Sequence, residues 1–193
     1  MALKTKLKGC DVSHHNKYAI PDFSKYDFVI MKATEGISYV DPMMETYLEK
    51  HLQKDQLYGF YHFARPERNR AKDEARHFCK TIGRYGEGAM LVLDWEAQAV
   101  TQPIEWALEW CKEVEKIYGK KPLIYCSSWY TKKIKLLLEN DIGLWVAHYT
   151  KKEKPTIYTY RTWAMWQYTS TPFDKDIFNG TRKQFEAYCT RKG

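Results

Sequence analysis

The sequence predicts an α/β chain folded as a single irregular (β/α) barrel of the TIM-like kind, with few helices in its last third. Three observations predict this. Short apolar runs recur along the 193 residues, and helical stretches separate the earlier ones. The third is residues 150–161, which are too short and too rich in Lys and Thr to place a helix between the late strands. Continuous apolar strands are buried on both faces, as in parallel sheets flanked by helices or in barrels. A β-α-β-α rhythm implies right-handed crossovers and either a doubly wound sheet or a barrel. No GxGxxG and no P-loop follows an early strand, which disfavours the nucleotide-binding form of the doubly wound sheet.

In chain order, the first strand is expected around residues 7–12. Further strands follow at 28–33 (FVIMKA), 58–64 (YGFYHFA), 90–95 (MLVLDW), 122–126 (PLIYC), 144–149 (LWVAHY) and 162–168 (TWAMWQY). Helices are expected at 42–54, 70–82, 103–118 and 130–139, with one more at the C-terminal end over 181–190. The 103–118 helix has the clearest signals: Thr101 as N-cap, Pro103 and Glu105 in the first turn, and a stop at Gly119. Its Ile104, Ala107, Leu108, Cys111, Val114 and Tyr118 recur at helical spacing and form one buried face. No linker or internal repeat interrupts the pattern, so one domain is expected over residues 1–193, without a separate binding domain.

Apolar residues make up 44% and charged residues 28%, with only 10 Gly and 7 Pro, which excludes collagen-like, disordered and low-complexity chains. Aromatic residues reach 16%, enough either for a Trp-rich core or for a groove that binds rings or chains. The net charge of +7 favours a polyanionic partner: nucleic acid, an anionic wall polymer or an anionic membrane surface. The basic residues are spread over helices from Lys50 to Lys154 rather than gathered on one stripe, which argues against nucleic acid. Cys10, Cys79, Cys111, Cys126 and Cys189 are odd in number, lie far apart and form no CxxC, so reduced core thiols are expected. The stretch MALKTKLKGC carries charge without an apolar segment after it, and no apolar run approaches the ~18 residues of a membrane span. Synthesis in the cytoplasm without a signal peptide, and no membrane insertion, are the corresponding expectations.

In an α/β barrel the chemistry sits at the C-terminal ends of the strands, so acids there are informative. The run LVLDWE ends in Asp94 and Glu96, two residues apart, which sends both carboxylates to one face with Cα atoms roughly 6 to 7 Å apart. Crowding two acids in a cleft raises the proton affinity of one and leaves the other ionised, the equipment of glycoside hydrolysis. Asp11 follows the first strand and would reach the same rim. Asp174 and Asp176 follow the 162–168 strand, which barrel closure would set beside the first, although turn-forming Asp is the simpler account of each alone. A metal site built from His14, His15, His62 and His148 is the rival. Adjacent histidines point to different sides and no HxH or HExxH occurs, so no metal or cofactor is expected, and His62 reads as a hydrogen-bonded residue of the barrel interior.

At these residues the sequence resembles glycoside hydrolase family 25, the Chalaropsis-type lysozymes that include the catalytic modules of phage endolysins. The matching segments are GCDVSHHN (9–16), FVIMKATEG (28–36), YGFYHFARP (58–66), LVLDWE (91–96), PLIYCSSWY (122–130), LWVAHY (144–149) and WQYTSTPFDKD (166–176), collinear and spanning nearly the whole chain. The resemblance implies an irregular barrel with a few antiparallel late strands. It implies N-acetylmuramidase activity on the β-1,4 bond between N-acetylmuramic acid and N-acetylglucosamine of peptidoglycan. Glu96 would be the general acid, and Asp94 would stabilise transition-state charge directly or orient the substrate acetamido group as an internal nucleophile. Asp11 and Asp174 would complete the acidic floor, and Lys32, Tyr39, Tyr61, Tyr125 and Tyr149 would line the groove. A monomer that reaches the wall after release through a holin is implied as well. Asp176 stands where an Asn is usual, and Pro172 and Phe173 stand in place of a common glycine. These departures bear on the loop shape and on the choice between Asp174 and Asp176. A catalytically silent barrel that binds wall carbohydrate is the competing reading, with the retained acids against it, and an enzyme acting on another polysaccharide such as chitin would share the chemistry.

Overall fold

The structure is a computed structural model that describes residues 6–190; residues 1–5, part of the stretch read for an export signal, lie outside the described residues. Nine strands follow one another among the described residues: β1 Leu7–Val12, β2 Phe28–Glu35, β3 Tyr39–Val40, β4 Leu57–Phe63, β5 Met90–Asp94, β6 Leu123–Ser127, β7 Gly143–Ala147, β8 Met165–Thr169 and β9 Lys175–Phe178. All except β3 close into a ring in the order β1-β2-β4-β5-β6-β7-β8-β9, while β3 pairs antiparallel with the C-terminal end of β2. The barrel expected from the sequence is therefore the fold.

Alternation along each strand explains why these segments read as continuously apolar. Leu7, Phe28, Ile30, Met90, Val92, Leu123 and Met165 fill the inside of the ring. Their strand neighbours Cys10, Val29, Met31, Leu91, Leu93 and Ile124 face outward into a second apolar layer beneath the helices. All five cysteines are free and buried. His62, expected inside the barrel, belongs to this outer layer instead. Its ring stacks at 5.5 Å on Trp110, Nε2 lies 2.7 Å from Glu74 Oε2, and Nδ1 lies 2.7 Å from Thr34 Oγ1. Tyr61, one position earlier, takes the inward direction.

Helix α1 (Met44–Thr46) passes into a π turn over Tyr47–His51, shorter than the expected 42–54, because a turn closed by Gln56 N–H on Gln53 O returns the chain to β4. Helices α2 (Ala71–Ile82) and α3 (Ile104–Tyr118) pack together on the outside, joined at their surface by Arg76 Nε and Glu113 Oε1 at 2.9 Å. Thr101 is not the N-cap of α3: Pro103 occupies that position, and Thr101 closes a 3-10 turn by donating to Gln98 O at 2.7 Å. The stop is where it was expected, with Gly119 at φ +68° donating its N–H to Glu115 O. The expected 130–139 helix shrinks to α4 (Lys135–Glu139), since a 3-10 turn over Ser128–Lys132 is held by Thr131 Oγ1 donating to Ser128 O.

Closure is the main departure from expectation. β9 was not foreseen, because a Lys flanked by two Asp hides a four-residue strand. It lies antiparallel between β8 and β1, so it, and not the 162–168 strand, is the neighbour of β1. Asp176 consequently sits within a strand and not after one. Within the ring β9 is the one antiparallel strand among the described residues, where the resemblance implied a few. Helix α5 (Arg182–Cys189) then places Phe185 against Phe28 and Phe178, each at 5.1 Å between ring centroids. Gly9 makes room for this plug, since a Cβ there would stand 2.2 Å from the Phe28 ring. The N-terminal end of the barrel is thereby filled, and the C-terminal end is left open.

Candidate active site

The open end holds a cleft of about 220 Å³. Asp11, Asp94, Glu96, Asp174, Tyr61, Tyr125 and Tyr149, seven of the residues singled out in the sequence, line it. Asp94 ends β5 pointing inward, and the extended backbone of Glu96 (φ −141°, ψ −169°) returns the second carboxylate to the same side. Peptide bonds continue the sheet past the strand end: Trp95 N–H donates to Tyr125 O at 2.9 Å, and Ala64 N–H donates to Asp94 O at 3.1 Å. The acidic segment is thus held by its neighbours and not left to a mobile loop.

Gln167 and Trp145, which the sequence does not single out, organise the floor together with Asp176. Gln167 on β8 donates from Nε2 to Asp11 Oδ2 at 2.8 Å, and its Oε1 accepts from Tyr125 at 2.9 Å and from Tyr149 at 2.7 Å. Trp145 on β7 packs edge-on against Tyr125 at 4.8 Å and donates from Nε1 to Asp176 Oδ1 at 3.0 Å. Asp176 is fully buried, and its Oδ2 has no hydrogen-bond partner among the described residues. Alternation along WQY and LWV would have pointed Gln167 and Trp145 inward together; the missing signal was β9, which carries Asp176.

The acids outnumber the groups that can satisfy them, and their proton affinities rise accordingly. Burial, then the charge of Asp174, pushes Asp11 up to about 7, against the opposing Gln167 hydrogen bond. Burial and Glu96 push Asp94 well above the usual carboxylate range. Burial and Asp174 raise Glu96, and burial raises Asp174. Burial, then the neighbouring Asp11, raises Asp176 well above the usual carboxylate range, against the opposing Trp145 hydrogen bond. Asp94 Oδ1 is buried without a partner among the described residues. Glu96 is the exposed member of the pair. An acid with raised affinity at the mouth, beside a buried one with a free oxygen, can deliver a proton to a bound oxygen and stabilise the charge left behind.

Lys32 and Tyr39 are not among the residues that line the cleft. Lys32 is buried, with Nζ 2.8 Å from Glu35 Oε2 and 4.8 Å from the centre of the Phe63 ring. Arg65 holds the other oxygen of Glu35 at 2.6 Å. The positive field of Lys32 opposes the upward shifts of both Asp94 and Glu96, so its effect on the site is electrostatic. Tyr39 stands on β3, its hydroxyl 3.0 Å from His14 Nδ1, and that nitrogen also lies 2.8 Å from Asp41 Oδ2. His14 and His15 do not point to different sides as expected, since a 3-10 turn sets their ring centres 4.0 Å apart, whereas His148 lies in the loop after β7, its Nδ1 accepting from Thr156 N–H.

Comparison with known proteins identifies relatives of this chain. Protein YegX of Escherichia coli K12 is 29% identical over 175 residues, covering 85% of this chain and 63% of YegX. The lysozyme of Streptococcus phage Cp-1 is 29% identical over 188 residues, covering 86% of this chain and 52% of that protein. The chain thus spans between about half and two thirds of the length of these relatives. A family 25 lysozyme from Aspergillus fumigatus superposes with a TM-score of 0.82 at 25% identity, over 96% of this chain and all of that one. The family model for glycosyl hydrolases family 25 matches residues 10–177, from the middle of β1 to the end of β9. The chain belongs to family 25 of the glycosyl hydrolases.

Proposed function

We propose that this protein is a lysozyme, an N-acetylmuramidase that hydrolyses the β-1,4 bond between N-acetylmuramic acid and N-acetylglucosamine in the bacterial cell wall. The observation that carries the reading is the pair at the end of β5: Glu96 exposed in the cleft, and beside it Asp94 with a buried oxygen that lacks a partner among the described residues. Burying an unsatisfied carboxyl oxygen costs stability, and a substrate that supplies the missing donor accounts for keeping it. Lysozymes among the family relatives support the substrate class.

In this mechanism Glu96 protonates the leaving glycosidic oxygen as the bond to the anomeric carbon breaks. Asp94 stabilises the positive charge that develops there, directly or by orienting the acetamido group whose oxygen attacks the same carbon. Glu96, now a carboxylate, takes a proton from the water that completes the displacement, which restores the acid and retains configuration. Asp11, fixed by Gln167, and Asp174 complete the floor and hold the sugar against it. The net charge of +7 attracts the enzyme to anionic polymers of the wall, an attraction that raised salt weakens.

Digestion of purified peptidoglycan, with the fragments reduced and identified by mass spectrometry, tests the reading. New reducing ends on N-acetylmuramic acid, released by the native chain and not by Glu96→Gln, are expected. Ends on N-acetylglucosamine would mean a different bond. Binding without any new end would replace the enzyme by a wall-binding module.

A further inference from the structure

Beyond the cleft, the loops that follow β6 and β7 carry a second surface on the same rim of the barrel. Trp129 and Tyr158 are 58% and 55% exposed, unusual for rings of their size. Each has an ammonium over its ring: Lys133 Nζ lies 5.3 Å from the Trp129 centroid, and Lys132 Nζ lies 4.4 Å from that of Tyr158. A cation on one face leaves the other face open to a ligand. Lys151, Lys152 and Lys154 are exposed in the same β7–β8 loop, with Glu153 as the acid among them.

Hydrogen bonds between side chains and backbone tie the two loops together and brace the second one internally. Ser128 Oγ donates to Thr156 O at 2.5 Å, Tyr158 N–H donates to Thr131 Oγ1 at 3.1 Å, and Thr156 N–H donates to His148 Nδ1 at 3.0 Å. The rings and ammonium groups therefore stand on a braced support, and among the described residues the two rings make ring contacts only with their lysines. Near the start of the β7–β8 loop stands Tyr149, 55% exposed, whose hydroxyl reaches the Gln167 that holds Asp11. From the floor of the cleft, a continuous run of chain leads to the platform.

Resting on the muramidase reading, we propose that this platform is an accessory subsite for the glycan strand itself, beyond the sugars at the scissile bond: Trp129 and Tyr158 stack on sugar faces, while Lys132 and Lys133 meet carboxylates of the lactyl ethers and stem peptides. Flat amphipathic rings suit the apolar faces of pyranose sugars, and flexible ammonium groups suit carboxylates whose spacing varies along the strand. A polyol-phosphate polymer would satisfy the lysines but would leave the rings without a role.

The test is binding and turnover on two substrates: long uncrosslinked strands bearing stem peptides, and a tetrasaccharide that fills only the cleft. For Trp129→Ala with Tyr158→Ala, and separately for Lys132→Ser with Lys133→Ser, KM on long strands should rise about tenfold with kcat unchanged. Kinetics on the tetrasaccharide should not change, and Lys132→Arg with Lys133→Arg should restore binding. Equal kinetics on long strands would overturn the proposal, as would equal losses on both substrates, and unchanged melting temperatures guard against a folding artefact. Strand binding by Glu96→Gln, with and without the platform changes, reads the inference independently of turnover. An inactive native chain would then defeat the muramidase reading alone. Loss of binding to purified teichoic acid, with strand binding intact, would give the surface to the phosphate polymer.

Discussion

The two ends of the barrel bury charge in opposite ways. At the C-terminal rim, Asp11, Asp94, Glu96, Asp174 and Asp176 crowd one another, and two of their buried oxygens have no partner among the described residues. At the N-terminal end a single cation, Lys120, is 1% exposed, and its ammonium donates to Gly86 O at 2.6 Å, Glu87 O at 2.9 Å, Ala89 O at 2.7 Å and Cys189 O at 2.7 Å. Burial pulls Lys120 down to about 8, which leaves it charged at neutral pH. Lys120 joins the segment before β5, the start of β6 and the end of α5, so its charge holds the closed end shut. The rim acids each reach less far, Asp11 bonding to Gln167 of β8 and Asp176 to Trp145 of β7. One end keeps charge because it is satisfied, and the other keeps it in readiness for a substrate, so substitutions at the two ends should separate activity from stability.

The largest effect is expected at the rim. Glu96→Gln preserves shape but cannot deliver a proton, and kcat on peptidoglycan should fall by about 10² to 10⁴. Its melting temperature should hold or rise slightly, because one member of the like-charged cluster is gone. Activity within about tenfold of native would remove Glu96 from the acid role. Next comes the base. Lys120→Met keeps the length of the side chain but removes a charged donor from four carbonyls, of which Gly86 O retains the Ala89 N–H at 3.4 Å, at a cost of about 2 to 4 kcal/mol by chemical denaturation. Below its lowered melting temperature this variant should turn over substrate at the native rate. A loss of turnover out of proportion to the loss of folded protein would show that the two ends are coupled.

The pH dependence of stability sharpens the same contrast. Asp11 has its affinity raised from 3.8 to about 7 by burial and Asp174. Between those values the folded chain binds more protons at this site than the unfolded chain, so its contribution to stability falls as pH rises from 4 to 7 and is level above. His62, which burial pushes down, acts with the opposite sign in part of that window. The difference between native and Asp11→Asn isolates the rim: the native chain should lose stability relative to the variant, by on the order of a few kcal/mol, between pH 4.5 and 7.5. Parallel melting curves across that range would mean that Asp11 is not held under this strain.

Most of the barrel was legible because burial on both faces of a parallel strand is written directly into runs such as MLVLD and FVIMKA. What escaped has a common physical cause. β9 is four residues long and points Asp176 inward among acids, so neither apolarity nor alternation betrays it, and with it went the true neighbour of β1. Asp94 and Glu96 could be read from a spacing of two on one strand. The bonds of Gln167 to Asp11, 156 positions apart in the chain, exist only after the ring has closed. Lys32 was visible as a cation near the groove, but the Glu35 that occupies it is brought close by the turn of β2 past its bulge.

The smallest effect comes from redundancy at the rim. Gln167 Oε1 accepts from two phenols, so Tyr149→Phe removes the 2.7 Å bond and leaves the 2.9 Å bond from Tyr125 to keep the amide turned toward Asp11. Tyr149 is 55% exposed, and losing one such bond should change stability by less than about 1 kcal/mol. Turnover should fall only about threefold, because Asp11 keeps its donor and loses little of its orientation. Adding Tyr125→Phe removes both phenols, frees the amide to rotate, and should cost more than the sum of the single changes. At the base, one ammonium serves four carbonyls, and no second side chain among the described residues takes its place. Were Tyr149→Phe alone to lower the melting temperature as far as Lys120→Met, the rim would be as structural as the base, and the division of labour between the two ends would fail.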